Sequence, residues 1–154
     1  MRRMLLVAAI GGLTSCGSSA EMKAEKSQFG STFFSLSAEG NAAAKLTLSC
    51  AAGEQPSIQI TLSEPPDSPP PLRGVLGSFK VGQEPARSVE LAWGTRSQWL
   101  VRDDIVSAQL AKDFLRKGTF DFMPPAQYTN SEALRWTLPA SGVEVDQAKQ
   151  SCLP

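Results

Sequence analysis

The chain has 154 residues, with 15 basic and 15 acidic side chains, no histidine and three cysteines. Without histidine, Ser-His-Asp and Cys-His catalysis are excluded, as is any zinc site built on imidazole. A formal charge of zero suggests no nucleic-acid or anionic-membrane surface, and 42% apolar residues over this length fit one folded domain.

Residues 1–15 open with Arg2 and Arg3, continue through an apolar centre from Leu5 to Ile10, and end in small residues, the layout of a secretory signal. Roughly ten apolar residues are too few to span a bilayer core of about 30 Å. A helix over 4–12 that packs on nothing is expected. The exit, Leu13-Thr14-Ser15-Cys16, resembles the lipobox of bacterial lipoproteins. The resemblance implies diacylglycerol on the Cys16 thiol, cleavage before Cys16 and acylation of the new amino group. Two or three acyl chains, each buried CH₂ contributing about 0.8 kcal/mol, make such attachment effectively permanent. The alternative is an ordinary signal in which Cys16 joins the disulfide framework. Gly17, standing where inner-membrane lipoproteins commonly carry Asp, points to an outer membrane and a periplasm-facing domain.

Loss of residues 1–15 leaves 13 basic against 15 acidic residues, a charge near −2. Residues 16–28, the lipidated cysteine and a small polar stretch, read as a flexible tether. A single α+β domain is expected over 29–154. With Cys16 used by lipid, Cys50 and Cys152 remain, an even pair in an exported chain, and such pairs usually bond. The loop closed is about 100 residues, for which chain entropy gives on the order of 4–5 kcal/mol.

A first strand is expected over 29–36, around Phe33, Phe34 and Leu36. In 45–50 the alternation places Leu46, Leu48 and Cys50 on one face, and Ile58, Ile60 and Leu62 repeat it in a hairpin partner. Five prolines within 65–71 make the stretch 64–72 a loop of polyproline II character. Strands follow at 75–81 and 87–93, a turn at 94–97, and a further strand at 98–102. Trp93 and Trp99 flank that turn with Arg96 between them. They form either a candidate binding surface or ordinary cross-strand packing.

Residues 103–117 carry the clearest helical period. Asp103 or Asp104 caps it, Val106, Leu110 and Phe114 recur at i+4, Arg116 and Lys117 suit its carboxyl end, and Gly118 stops it. Phe120 and Phe122 alternate in a strand that Pro124 and Pro125 end. Leu134, Trp136 and Leu138 mark a last strand. Ser141 and Glu144 have capping-box spacing for a short helix on which Val145, Ala148 and Cys152 share one face. Both cysteines thus point toward the core by independent periodicities. The sum is an α+β fold: an antiparallel β-sheet of four to seven short strands, one main helix at about 104–117, a short C-terminal helix, and a disulfide between Cys50 and Cys152.

The run from Ala108 through Gly118 to Phe122, together with a strand ending in Cys50, a tryptophan-bearing strand and a strand-plus-helix ending in Cys152, is similar to the VasI-like periplasmic proteins associated with type VI secretion. The similarity covers residues 45–152 in outline and implies a fold and an envelope location. It carries no catalytic residue across. The lipobox, the proline-rich loop and the 124–132 connection depart from that family.

No Ser-x-x-Lys, dinucleotide-binding or phosphate-loop spacing occurs. Asp103 and Asp104 suit capping better than glycan hydrolysis, Asp121 alternates outward, and no stretch gathers calcium ligands. A non-enzymatic protein is expected, without metal or cofactor. It would be held to the membrane by its N-terminal lipid and would bind another envelope protein as a secretion-system or cell-envelope accessory. The alternative is an immunity, superinfection-exclusion or lysozyme-inhibitor lipoprotein.

Overall fold

The computed structural model describes residues 21–62, 75–94, 98–125 and 133–153. The expected helix at 4–12 and the proline-rich loop lie outside the described residues. Nine strands and two helices follow one another as β1 (Lys23–Lys26), β2 (Thr32–Ala38), β3 (Asn41–Cys50), β4 (Ser57–Thr61), β5 (Val75–Val81), β6 (Arg87–Trp93), β7 (Gln98–Val101), α1 (Asp104–Lys117), β8 (Thr119–Met123), β9 (Leu134–Thr137) and α2 (Val143–Cys152). All strands join one antiparallel sheet in the order β1-β2-β3-β4-β7-β6-β5-β8-β9. The fold is therefore α+β and mostly β, with more strands than the four to seven expected.

Period-two alternation gives every strand from β2 to β9 one buried face. Phe34, Leu48, Ile60, Phe79, Leu91, Trp99, Phe122 and Trp136 are each at most 2% exposed, and together with both helices they build one core. The sheet coils until its ends meet. The Glu39 N–H donates to the Arg135 carbonyl at 2.8 Å, and β9 lies against β2 and β3. Because β1 pairs with Thr32–Ser35 of β2, β1 and β9 lie end to end along the same edge of that strand. The eight strands from β2 to β9 thus come round to a barrel-like ring, with β1 along the remaining edge of β2.

β1 corrects the expected boundaries, because Lys23–Lys26 fall inside the stretch read as tether. All four side chains are exposed, so no apolar alternation marks the strand. Its backbone pairing with β2 recruits it, and Met22, 3% exposed, enters the core just before it. The folded part thus starts at Met22 instead of Phe29. Phe29 itself is 86% exposed in the β1–β2 turn, where Ser27 Oγ accepts the N–H groups of Phe29 and Ser31. The strand begins only at Thr32.

α1 starts where the Asp103 carboxylate accepts the N–H groups of Ile105 and Val106 at 2.9 and 3.0 Å. It ends at Gly118, which adopts a left-handed φ of 82° and donates its N–H to the Phe114 carbonyl. Its buried face packs on β4, β5 and β7. Buried Ser107 locks that packing, since its Oγ accepts the Ile58 N–H at 3.0 Å at the start of β4.

α2 buries Val145, Ala148 and Cys152, the face expected of it. Its capping box does not form: the N-cap is Gly142, one residue later than Ser141, and no side chain caps it. Cys152 meets Cys50 at disulfide distance, Cα–Cα 5.4 Å, pinning the last helix to the end of β3.

Candidate functional site

Of the residues singled out from sequence, Cys16 and Arg96 lie outside the described residues. Trp93 and Trp99 oppose each other across β6 and β7, ring centroids 4.7 Å apart and edge to face at 70°. Trp99 is 1% exposed and Trp93 half-buried, so the pair is cross-strand packing and only Trp93 reaches solvent. The indole N–H groups of Trp99 and Trp136 are buried without an acceptor among the described residues. Such donors commonly cost about 1–3 kcal/mol each. Cys50 and Cys152 serve the staple, and neither is left as a reactive thiol.

Because neighbouring strands all run antiparallel, the ends of the ring can be told apart. Thr61, Val75, Trp93, Gln98, Met123 and Leu134, which border the longer connections, lie at one end. α1 and the turns at 27–31, 51–56 and 82–86 occupy the other. The chain approaches β1 from the first end, since Lys23 stands opposite Ser35 and β1 then runs toward Thr32.

At that approach lies an open groove of about 1250 Å³. Residues 21–23, the β2–β3 turn at 37–42 and the link 137–142 line it, with Glu144 and Val145 of α2. Its lining is mixed. Met22, Ala38, Leu138 and Val145 form an apolar floor, while Glu21, Lys23, Glu39 and Glu144 supply polar walls. One wall is tied by the Thr137 hydroxyl, which donates to the Glu39 carboxylate. The groove escapes sequence reasoning because three segments far apart in the chain build it, and none carries a motif.

Two groups of charges elsewhere are paired as structural clamps. Glu84, in the β5–β6 turn, takes Lys117 of α1 and Arg87, and Asp113 stands 3.9 Å from the same lysine. The Lys117 hydrogen bond is the main influence holding the Glu84 carboxyl below its ordinary value. On the outer face Arg135 grips Asp121 through two hydrogen bonds of 2.6 and 2.9 Å, which lower the Asp121 pKa and raise that of the guanidinium. Among the described residues no three His, Cys, Asp or Glu side chains gather as metal ligands, and no helix is long and apolar enough to cross a membrane.

No family model, curated protein or solved structure matches this chain.

Proposed function

We propose that the chain is an envelope lipoprotein, anchored through Cys16, that works as a non-catalytic protein-binding module on the periplasmic side of the outer membrane. The observation that carries this reading is the join between lipobox and fold. Five residues separate Cys16 from Met22, the first residue seated in the core. An extended backbone of that length reaches at most about 20 Å. In this reading the barrel stays close to the bilayer, and the start of β1 is the part of it nearest the anchor. A rigid, disulfide-stapled body suits recognition because little is left to order on binding. An accessory to a secretion machine, of the kind the VasI-like resemblance implies, is the narrower form of the same reading.

Metabolic labelling with a fatty acid tests the anchor: the wild-type chain takes label and pellets with membranes, and Cys16→Ala does neither. An unlabelled wild-type chain released into the medium would falsify the proposal. Crosslinking in intact cells then identifies the bound protein, and Cys16→Ala should lose the adduct.

A further inference from the structure

β1 ends the sheet: among the described strands it pairs with β2 alone, so its second edge is open. Where β1 runs into the turn, the Ser27 N–H donates to the Ser31 carbonyl at 2.8 Å, in step with the pairs Glu25–Phe33 and Lys23–Ser35. Main-chain groups alternate sides along a strand, so Lys23 and Glu25 turn theirs to β2, while Ala24 and Lys26 turn theirs to the open edge. Side chains alternate too. Lys23 and Glu25 share the outer face of the ring with Ser35, and Ala24 and Lys26 take the other face. All four residues are exposed, and among the described residues the side chains of Lys23 and Glu25 form no ion pair or hydrogen bond.

We propose that this edge pairs antiparallel with β1 of a second copy, about a two-fold axis at Ala24. Antiparallel pairing sets edge-facing residues opposite edge-facing ones, so within β1 the axis must pass through a residue. With Lys23, Glu25 or Lys26 on the axis, that residue stands opposite its own counterpart, and like charges directly opposite are destabilising. With Ala24 there, Lys23 faces Glu25 of the second copy and Glu25 faces Lys23 of the second copy, two opposite-charge pairs on one face. The charges thus select one register. In it the two Ala24 residues exchange both main-chain hydrogen bonds, and the charged pairs fall at the non-hydrogen-bonded positions, where Cα atoms stand about 4.5 Å apart. Lysine on an edge ordinarily wards off strand addition. Here an edge lacking the complementary charges is still rejected, while a second copy answers each lysine with a glutamate. The contact is isologous and closes at two, so it seeds no filament. Four residues a side bury well under the roughly 800 Å² that each partner gives a stable interface, so the pair is weak and reversible in solution. Copies anchored in one bilayer, as proposed above, would meet at a higher effective concentration.

The test uses the full-length chain in detergent, with Ala24→Cys in a Cys16→Ser background. Position 24 then holds the single thiol outside the Cys50–Cys152 bond, and the lack of lipid separates this outcome from that of the anchor. Oxidised at about 1 mM, where a millimolar pair is substantially formed, this chain should give a disulfide-linked dimer. Ser88→Cys in the same background, an exposed control on β6, should give only collisional crosslinks. Lys23→Glu or Glu25→Lys added alone turns both charged pairs into like pairs and should cut the yield at least about tenfold. Mixing those two variants, or placing both changes in one chain, sets opposite charges face to face again and should restore it. A yield no higher than the Ser88→Cys control, single variants that link as well as their parent, or a loss that the mixture does not repair would each overturn the pairing. So would oxidation in intact cells that joins position 24 only to a different polypeptide.

Discussion

Gly77 sits on the buried face of β5 with no room for a methyl group. A Cβ there would stand 2.5 Å from Leu91 Cδ1 and 3.0 Å from Phe122 Cε2. Gly77→Ala should therefore destabilise by about 1–3 kcal/mol through overpacking, read as a lower thermal midpoint with the disulfide intact. Asp103→Ala should cost about 1 kcal/mol because two N–H groups lose their acceptor, and Asp103→Asn should recover most of it. Gly118 and a cap at Asp103 or Asp104 were legible in the sequence because a cap is satisfied within three or four residues of itself; which of the two aspartates serves was not. Ser107 was not, since its partner Ile58 is 49 residues away and nothing local marks a helical serine as a lock. Trp99 shows the converse difficulty: a turn flanked by two tryptophans reads the same whether the rings face out or in, and only the opposing strand decides.

At the scale of elements, the long alternations and the heavily periodic helix were readable, because one-sided burial imposes a period on sequence. β1 and the groove were not. An edge strand exposed on both faces needs only backbone partners, and KAEK advertises none of them. The β8–β9 pairing carries a pH signature of its own. Arg135 holds the Asp121 carboxyl below its ordinary value, so the pair's contribution is full above the unfolded carboxylate range and is lost as pH falls through the lowered folded value. Asp121→Asn should lower the thermal midpoint slightly at pH 7, and the difference from wild type should close in acid below that lowered value. A gap that widened in acid would show the sign to be wrong. Glu84 acts in the same direction between α1 and the β5–β6 turn, so the two clamps loosen together.

At the scale of the whole molecule, the Cys50–Cys152 bond closes a separation of 102 residues and joins the last helix to an early strand. Replacing both cysteines by serine should cost roughly 2–5 kcal/mol, measured by denaturant titration against the oxidised wild type. The bond was foreseeable from an even cysteine count and two separate periodicities. The coiling of the sheet was not, because which strands meet at the seam depends on register and twist summed over nine strands. One consequence of that seam concerns slack. The ring from β2 to β9 closes through Glu39 and Arg135 without help from β1, which hangs on by four residue pairs and one buried methionine. Unpeeling that ribbon would free the residues from Met22 to Ser31 as extra chain, roughly 35 Å when taut, and would leave the ring whole. In the anchored form proposed above, a short charged ribbon would thus govern how far the globule can stray from Cys16.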